Sequence, residues 1–342
     1  MRLEPVTHCY LCGRPGRKLY RGLRDELYGA TGTWSIDRCS CATCGLMWLN
    51  PRPIESDILE IYSNYYTHAD EHDNSLARGR RFREAYIRGQ RAYLAANLGY
   101  DVPRSDTSRI VRRIIECWPG RAADTEYLVF NQESRHGARL LDVGCGRGAA
   151  VLRLRALGWD AEGVDPDAEA VKAAISAGAR VRMGTATNLP QSQPYDVVVL
   201  SHVLEHLHDP MEGLRAAKAV LKPAGRVVVV TSNVFSWLHA RYGADWRGLD
   251  VPRHLYIFTI AQLGELLDRA GLRPLELHTS ARGANSVVVG SRSIARRGAN
   301  RRRWVATGDR LIAELLQQLE FMRLTRRPID GEELVAIAQA NE

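Results

Sequence analysis

The sequence predicts an α/β protein built on a doubly wound, mostly parallel sheet of seven strands, and three observations predict it. From residue 137 short apolar runs alternate with helical patterns. The runs are apolar on both faces, and the first of them ends in a glycine turn that opens a helix. Runs of that kind suit strands covered by helices on both sides, as in a parallel sheet.

Taken in order, residues 1–50 hold five of the seven cysteines, with Gly, Pro and Trp between them and little periodicity. Residues 51–136 read as helical, with apolar residues at helical spacing over 54–62, 82–98 and 110–118. Asp106-Thr107-Ser108 supplies N-cap candidates for the last of these, and Pro119-Gly120 ends it. Strands are predicted at Arg139–Val143, 160–164, Val181–Met183, 196–201 and 226–231, and helices at 148–157, 167–177, 210–221 and 260–270. After Gly271, strands at 275–279 and 286–290 with a short turn between them predict a closing antiparallel hairpin. The tail is Arg-rich at Arg301-Arg302-Arg303, then helical over 304–324, with a short final helix after Pro328. Four segments result: a cysteine-rich module (1–50), a helical linker or lid (51–136), a cofactor-binding domain (137–292) and a helical tail (293–342).

At 342 residues, 45% hydrophobic and 25% charged, the composition is that of an ordinary globular protein. No run of about 18 apolar residues exists, which excludes a transmembrane helix, and Met1-Arg-Leu-Glu-Pro5 lacks the apolar stretch of a signal peptide. A reducing cytoplasm is therefore expected, where closely spaced cysteines read as metal ligands in preference to disulfides. The net charge is +8, and between Arg78 and Arg121 eleven Arg face four acids. That segment is either a solvated helical face or a surface that attracts an anion such as a nucleotide-sugar, a phosphorylated carrier or RNA.

The segment Leu140-Leu-Asp-Val-Gly-Cys-Gly-Arg-Gly148 carries the chemistry of the domain. Glycines at every second position let the backbone approach a ligand closely, and the helix that follows offers unpaired N–H groups. The spacing is G-x-G-x-G, not the dinucleotide fingerprint G-x-G-x-x-G. With Asp142 just before it, the turn resembles motif I of the class I S-adenosylmethionine-dependent methyltransferases, a Rossmann-like fold. Further along, Gly163-Val-Asp165-Pro166 resembles the family's second motif, in which the acid accepts the ribose hydroxyls. Gly184-Thr-Ala-Thr-Asn-Leu-Pro190 follows the third strand, Tyr195–Ser201 matches the fourth, and Leu221-Lys-Pro-Ala-Gly-Arg226 leads into the fifth. The resemblance covers roughly 137–292. It implies S-adenosylmethionine as cofactor, with Asp142, Gly144, Cys145, Gly146, Asp165, Pro166, Thr185, Ala186, Ser201 and His202 around it. Thr185 stands where the family usually has an acid.

Methyl transfer from a sulfonium is a direct displacement, so a base and alignment are what the enzyme supplies. Ser201-His-Val-Leu-Glu-His206, at the end of the fourth strand, offers His206 as base with His202 as second choice. Two other readings stay open: a fold-stabilising Glu-His pair, and a divalent cation held by His202, Glu205 and His206, a segment similar to that of ubiquinone-pathway O-methyltransferases. Asp245-Trp-Arg-Gly-Leu-Asp-Val-Pro-Arg-His-Leu-Tyr-Ile-Phe-Thr259 resembles the Pro-Arg-His-Leu segment of the bacterial type 12 and type 23 methyltransferases. It offers Trp246, Arg253, His254 and Tyr256 to a substrate, with His254 also a catalytic candidate, or else simply anchors a loop.

Cys9-x-x-Cys12 and Cys41-x-x-Cys44, two knuckles separated by 28 residues and each followed by glycine, predict a closed structural Zn²⁺ site, with Cys39 and His8 as spare neighbours. A zinc module ahead of such a domain resembles bacterial enzymes of sugar, polysaccharide and natural-product biosynthesis. The expectation is a methyltransferase acting on a hydroxyl or carbon of a small, possibly anionic molecule such as a nucleotide-sugar or glycan precursor, with a homodimer as one option for the Arg-rich segment. An RNA methyltransferase gripping nucleic acid through the zinc module is the rival, though Ser-His-Val-Leu-Glu-His is not the Asn-Pro-Pro-Tyr type suited to base amines. A cofactor-binding regulator without turnover is the second rival.

Overall fold

The computed structural model describes residues 1–62, 80–102, 106–191, 193–296 and 307–341. Five short strands come first: β1 (Leu3–Glu4), β2 (Gly16–Leu23), β3 (Trp34–Cys39), β4 (Met47–Leu49) and β5 (Arg52–Pro53). A 3₁₀ turn at Glu55–Tyr62 and three helices follow, α1 (Arg80–Asn97), α2 (Asp106–Glu116) and α3 (Pro119–Tyr127). The α/β domain runs β6 (Arg139–Val143), α4 (Ala149–Ala156), β7 (Asp160–Asp165), α5 (Ala168–Ser176), β8 (Val181–Met183), β9 (Tyr195–Ser201), α6 (Pro210–Ala219) and β10 (Leu221–Ser232). After it come α7 (Trp237–Tyr242), β11 (Tyr256–Ile257), α8 (Ile260–Arg269), β12 (Leu272–Ser280), α9 (Ala284–Ala295), α10 (Thr307–Leu324) and β13 (Glu333–Ala340).

The main sheet has seven strands in the order β12-β13-β10-β9-β6-β7-β8, parallel except for β13, which runs antiparallel to both its neighbours. From β6 the chain winds outward through β7 and β8, then returns to the other side of β6 for β9 and β10. That reversal creates a crevice at the carboxyl ends of β6 and β9, where open α/β sheets bind ligands. The strands of the centre are buried on both faces: Leu140, Leu141, Val197–Leu200 and Val227–Val229 are fully covered.

Two sequence expectations need correction here. Residues 286–290 are not a strand but part of α9, and the segment after Pro328 is not a helix but β13. The run Val287-Val-Val289 has strand-like β-branched chemistry. Yet four of the five residues α9 buries, Ala284, Val287, Val288 and Ser291, recur at i, i+3, i+4 and i+7, one face of a helix, with Gly290 beside them. Conversely, Glu333-Leu-Val-Ala-Ile-Ala-Gln-Ala340 is alanine-rich, but β10 and β12 flank it on both sides and hold it extended. The sheet thus draws a strand from 333–340, beyond the expected edge of the domain at 292. The Arg301-Arg302-Arg303 run and the expected caps at 106–108 lie outside the described residues or their described side chains.

The cysteine-rich module is not a separate bead. β11, from the far side of the α/β domain, pairs with β4 to complete a four-stranded sheet β11-β4-β3-β2. Leu46, Met47, Trp48 and Leu49 share one buried cluster with Leu141, Val198 and Phe258. Among the described residues no helix is long and apolar enough to cross a membrane.

Candidate active site

The glycine turn begins where β6 ends. Gly144, Gly146 and Gly148 sit at φ of 69°, 53° and 72°, a region L-residues with a Cβ rarely adopt. A Cβ at Gly144 would lie 2.7 Å from Val203, and one at Gly148 would lie 2.8 Å from Ala179. Asp165, at the tip of β7, ties the turn down: its carboxylate accepts from the Gly146 N–H at 2.7 Å and from the Asp167 N–H at 2.9 Å. Burial raises the Asp165 pKa, and the two N–H donors pull against it. Asp142 lies beneath the turn inside β6, and burial pushes its pKa up to about 7 against the opposing pull of Arg153. Cys145 packs on Gly163, where a Cβ would meet its sulfur at 2.5 Å. Beyond β8, Thr185 bonds Thr187 through their hydroxyls at 3.1 Å, and Ala186 is buried.

At the tip of β9 stands a run of charged groups. His202, with φ of 54°, sends Nδ1 to Glu205 at 3.1 Å and Nε2 to Glu333 at 3.1 Å. The two carboxylates favour a protonated ring, while an Arg282 N–H, which can only donate, also lies 3.2 Å from Nε2. Burial works against that charge, but the two carboxylates outweigh it and push the His202 pKa up to about 10. With its two ring nitrogens facing Glu205 and Glu333, His202 bridges two carboxylates, an arrangement that suits a base less well than that of His206. Glu205 is fully buried; burial would raise its pKa, but His202 overrides this and holds it at about 2.

His206 and His254 are different. His206 donates from Nδ1 to the Arg253 carbonyl at 2.9 Å, and His254 from Nδ1 to the Gly248 carbonyl at 2.8 Å. In the neutral rings each Nε2 is therefore a lone pair. Burial first, then the neighbouring His206, lowers the His254 pKa to about 4. The rings stand edge to face with centroids 4.9 Å apart, and Tyr62 reaches His206 Nδ1 at 3.1 Å.

Three residues that the sequence did not single out complete the site. Arg282 bonds both oxygens of Glu333, and its guanidinium lies 3.5 Å from the ring centre of Tyr127. Tyr127 in turn shares a hydrogen bond with Ser201. These groups come from α3, the loop after β12 and the first residue of β13. Nothing local in the sequence marks them, because the pairs Tyr127–Ser201, His202–Glu333 and Arg282–Glu333 are 74, 131 and 51 residues apart.

A methyltransferase-domain family model matches residues 111–277. A ubiquinone biosynthesis O-methyltransferase of Aliivibrio fischeri is 30% identical over 161 residues, spanning 43% of this chain and 69% of that one. Its counterpart in Bordetella pertussis is 32% identical over 171 residues, spanning 47% and 67%. The chain belongs to the S-adenosylmethionine-dependent methyltransferases. Among solved structures, an S-adenosylmethionine-dependent methyltransferase from Mesorhizobium loti covers 64% of the chain and 97% of its own length at 17% identity, with a TM-score of 0.45.

The cradle of this methyltransferase fits its cofactor. The positive-φ glycines keep the turn free of side chains at the switch point, and the Asp165 carboxylate has lone pairs beyond its two backbone bonds.

The loop from 245 to 259 is corrected. Trp246 is 1% exposed and donates its indole N–H to Glu332 at 2.9 Å. Arg253 is 0% exposed and ion-pairs with Asp250 at 2.8 Å and Asp25 at 2.9 Å. Tyr256 lies in β11, with its hydroxyl accepting from Arg52 at 2.9 Å. All three are spent inside the protein, Arg253 and Tyr256 tying the loop to the N-terminal module and Trp246 tying it to the residue before β13, and they do not meet the substrate role expected of them. His254, though buried, turns toward Glu205 and His206.

The metal ligand set is corrected as well. Cys9, Cys12, Cys39 and Cys44 bring their sulfurs within 4.8 Å of one another, with Cys9–Cys44 at 3.6 Å and Cys12–Cys39 at 3.4 Å. Such separations match the edges of a thiolate tetrahedron around a Zn²⁺ ion with bonds of about 2.3 Å. Cys41, the expected ligand, instead faces Thr43 at 3.4 Å. The C-x-x-C spacing misled because Cys39 is the last residue of β3. The strand aims its sulfur into the cluster, and the turn 40–43 loops away from it.

Proposed function

We propose that this methyltransferase acts on a hydroxyl group of a small molecule, of the sugar-precursor or natural-product kind. The observation that carries it is His206, at the mouth of the crevice beside β9, with its Nδ1–H fixed by the Arg253 carbonyl and its Nε2 lone pair available. That ring suits a base for an acceptor O–H. Relatives named as O-methyltransferases support oxygen as the acceptor atom. S-adenosylmethionine supplies the methyl group on a sulfonium; the chain aligns the acceptor with it and takes the proton. Asp165 and the glycine turn hold the nucleoside end. Arg282, Tyr127 and the His202 imidazolium form the wall between cofactor and acceptor, and that cationic wall favours an acceptor bearing negative charge. We assign the helical segment before the domain as a lid, supported by Tyr127 of α3 reaching Ser201 and by Asp124 accepting from the Gly283 N–H. The four-cysteine cluster is assigned to structural Zn²⁺.

The test is turnover with a panel of hydroxylated acceptors, phenolic and sugar nucleotide, in wild type and His206→Ala. His206→Ala should lose about 10²–10⁴-fold in kcat with cofactor affinity intact. Normal turnover in that variant would move the base elsewhere.

A further inference from the structure

We infer that Gln262 is a positioning residue, through which the metal in the cysteine cluster sets the start of α8 and the loop that seats His206. Gln262 is 3% exposed and stands in the first turn of α8. Its Oε1 accepts from the Thr259 N–H at 2.8 Å, and the Thr259 hydroxyl accepts from the Gln262 N–H at 3.3 Å, a capping box. A backbone N–H only donates, so the Thr259 contact fixes which end of the Gln262 amide is oxygen. The other end, Nε2, then faces the cluster and donates to the Cys44 carbonyl and, at 3.1 Å, to the Cys44 sulfur.

An N–H aimed at a thiolate orients and tunes a metal ligand from outside the coordination sphere. Here the donor belongs to a helix packed on β12 of the main sheet, not to the cysteine module. The far end of α8 repeats the link. Arg269, in its last turn, donates to the Leu11 carbonyl at 3.3 Å, between Cys9 and Cys12. Helix α8 therefore touches both arms of the cluster, one with each end.

From Gln262 the chain leads back to His206, and the module grips it on the way. Ile257 and Tyr256 pair with Met47 and Trp48 of β4, and the Leu255 carbonyl accepts from the Leu49 N–H at 3.0 Å. The Leu255 N–H donates to the Glu205 carbonyl at 2.8 Å, and the Arg253 carbonyl holds His206 Nδ1 at 2.9 Å. Strand β4 is itself tied to the cluster, because the Cys39 N–H donates to the Leu46 carbonyl at 2.9 Å. With the metal bound, Cys39 and Cys44 are held together, and β4, β11 and the cap of α8 share one frame. Without it the sulfurs lose the charge that gathers them, and the buried Gln262 amide loses its charged partner. The inference rests on the reading of the cluster as a zinc site, and it leaves the His206 Nε2 lone pair as it stands.

Two measurements on the full chain test this. In the first, Co²⁺ replaces zinc in the cluster and its thiolate charge-transfer band is recorded. Gln262→Leu should move that band to longer wavelength, because a sulfur that loses a hydrogen bond gives up electron density more readily. Thr259→Ala, which breaks the cap but leaves the Gln262 amide on Cys44, should leave the band in place. In the second, amide hydrogen exchange is followed before and after a chelator removes the metal. Removal should speed exchange at 255–262 by about 10-fold or more, alongside 36–49, while the central strands 139–143 and 195–201 keep their protection. Metal-loaded Gln262→Leu should show the faster exchange at 255–262 alone. Should Gln262→Leu fail to fold by circular dichroism, the wild-type exchange decides; should metal removal unfold the whole chain, the cobalt band decides. An unmoved band in folded Gln262→Leu overturns the inference, as does metal removal that frees 36–49 and leaves 255–262 protected. A wild type without any thiolate band is a different result, which removes the zinc reading itself and the inference with it.

Discussion

The cofactor edge and the 245–259 loop both offer charged and aromatic side chains at the same end of the sheet, and they use them in opposite ways. Around Asp165 the polar contacts stay within the first two strand–helix units. Asp165 bonds the N–H groups of Asp167 and Gly146, in its own turn and in the adjacent one, and has lone pairs left over. In the loop the contacts are remote and consume the side chains. Arg253 meets Asp25, Trp246 meets Glu332 and Tyr256 meets Arg52, at separations of 228, 86 and 204 residues. A group whose partners are already inside the protein holds structure; one with capacity to spare holds a ligand.

Substitutions separate the two roles. The largest effect is expected from Arg253→Met, which leaves Asp25 and Asp250 buried without their cation. Removing one partner from a buried pair costs about 3–5 kcal/mol, so thermal unfolding should move to markedly lower temperature while cofactor affinity in the folded protein stays unchanged. A stable Arg253→Met protein with a raised KM for its acceptor would restore the substrate role that the buried geometry denies. The second effect, on the cofactor edge, has the reverse signature. If Asp165 holds the ribose as proposed, Asp165→Ala removes two hydrogen bonds from a charged group, each worth about 1.5–3 kcal/mol, so cofactor affinity should fall on the order of 100-fold or more with circular dichroism unchanged. Calorimetric titration giving wild-type affinity would break the assignment.

The same contrast explains what the sequence disclosed. Five parallel strands, the helices between them and the glycine turn were legible because their signals are periodic and local: apolar runs, G-x-G-x-G, an acid at the next strand's tip. The cysteine site was legible as a site but not in its membership, since only the path of β3 decides that Cys39 and not Cys41 points inward. β13 was not legible, because an alanine-rich run becomes a strand only when β10 and β12 are already in place beside it. Arg282, Tyr127 and Glu333 were invisible for the same reason, each defined by a partner more than 50 residues away.

His202 gives the smallest effect and the finest test of the contrast, since it sits between the two regions and combines their properties. It is engaged by two carboxylates, as loop residues are, yet its side chain remains 36% exposed, as a ligand-facing group would be. Its folded pKa of about 10 lies above the ordinary histidine value of about 6.5. The native state therefore binds the proton more tightly than the unfolded chain. That stabilisation is complete below pH about 6.5 and is lost as pH rises through about 10. Glu332, raised by burial to about 8, adds a decline of its own, but one finished near pH 8. Between about pH 8 and 10 the wild-type melting temperature should thus fall more steeply than that of His202→Gln, and high salt should narrow the gap because the ring is partly open to solvent. Parallel profiles across that window would mean that His202 does not carry the extra proton, returning it to the ranks of possible bases beside His206.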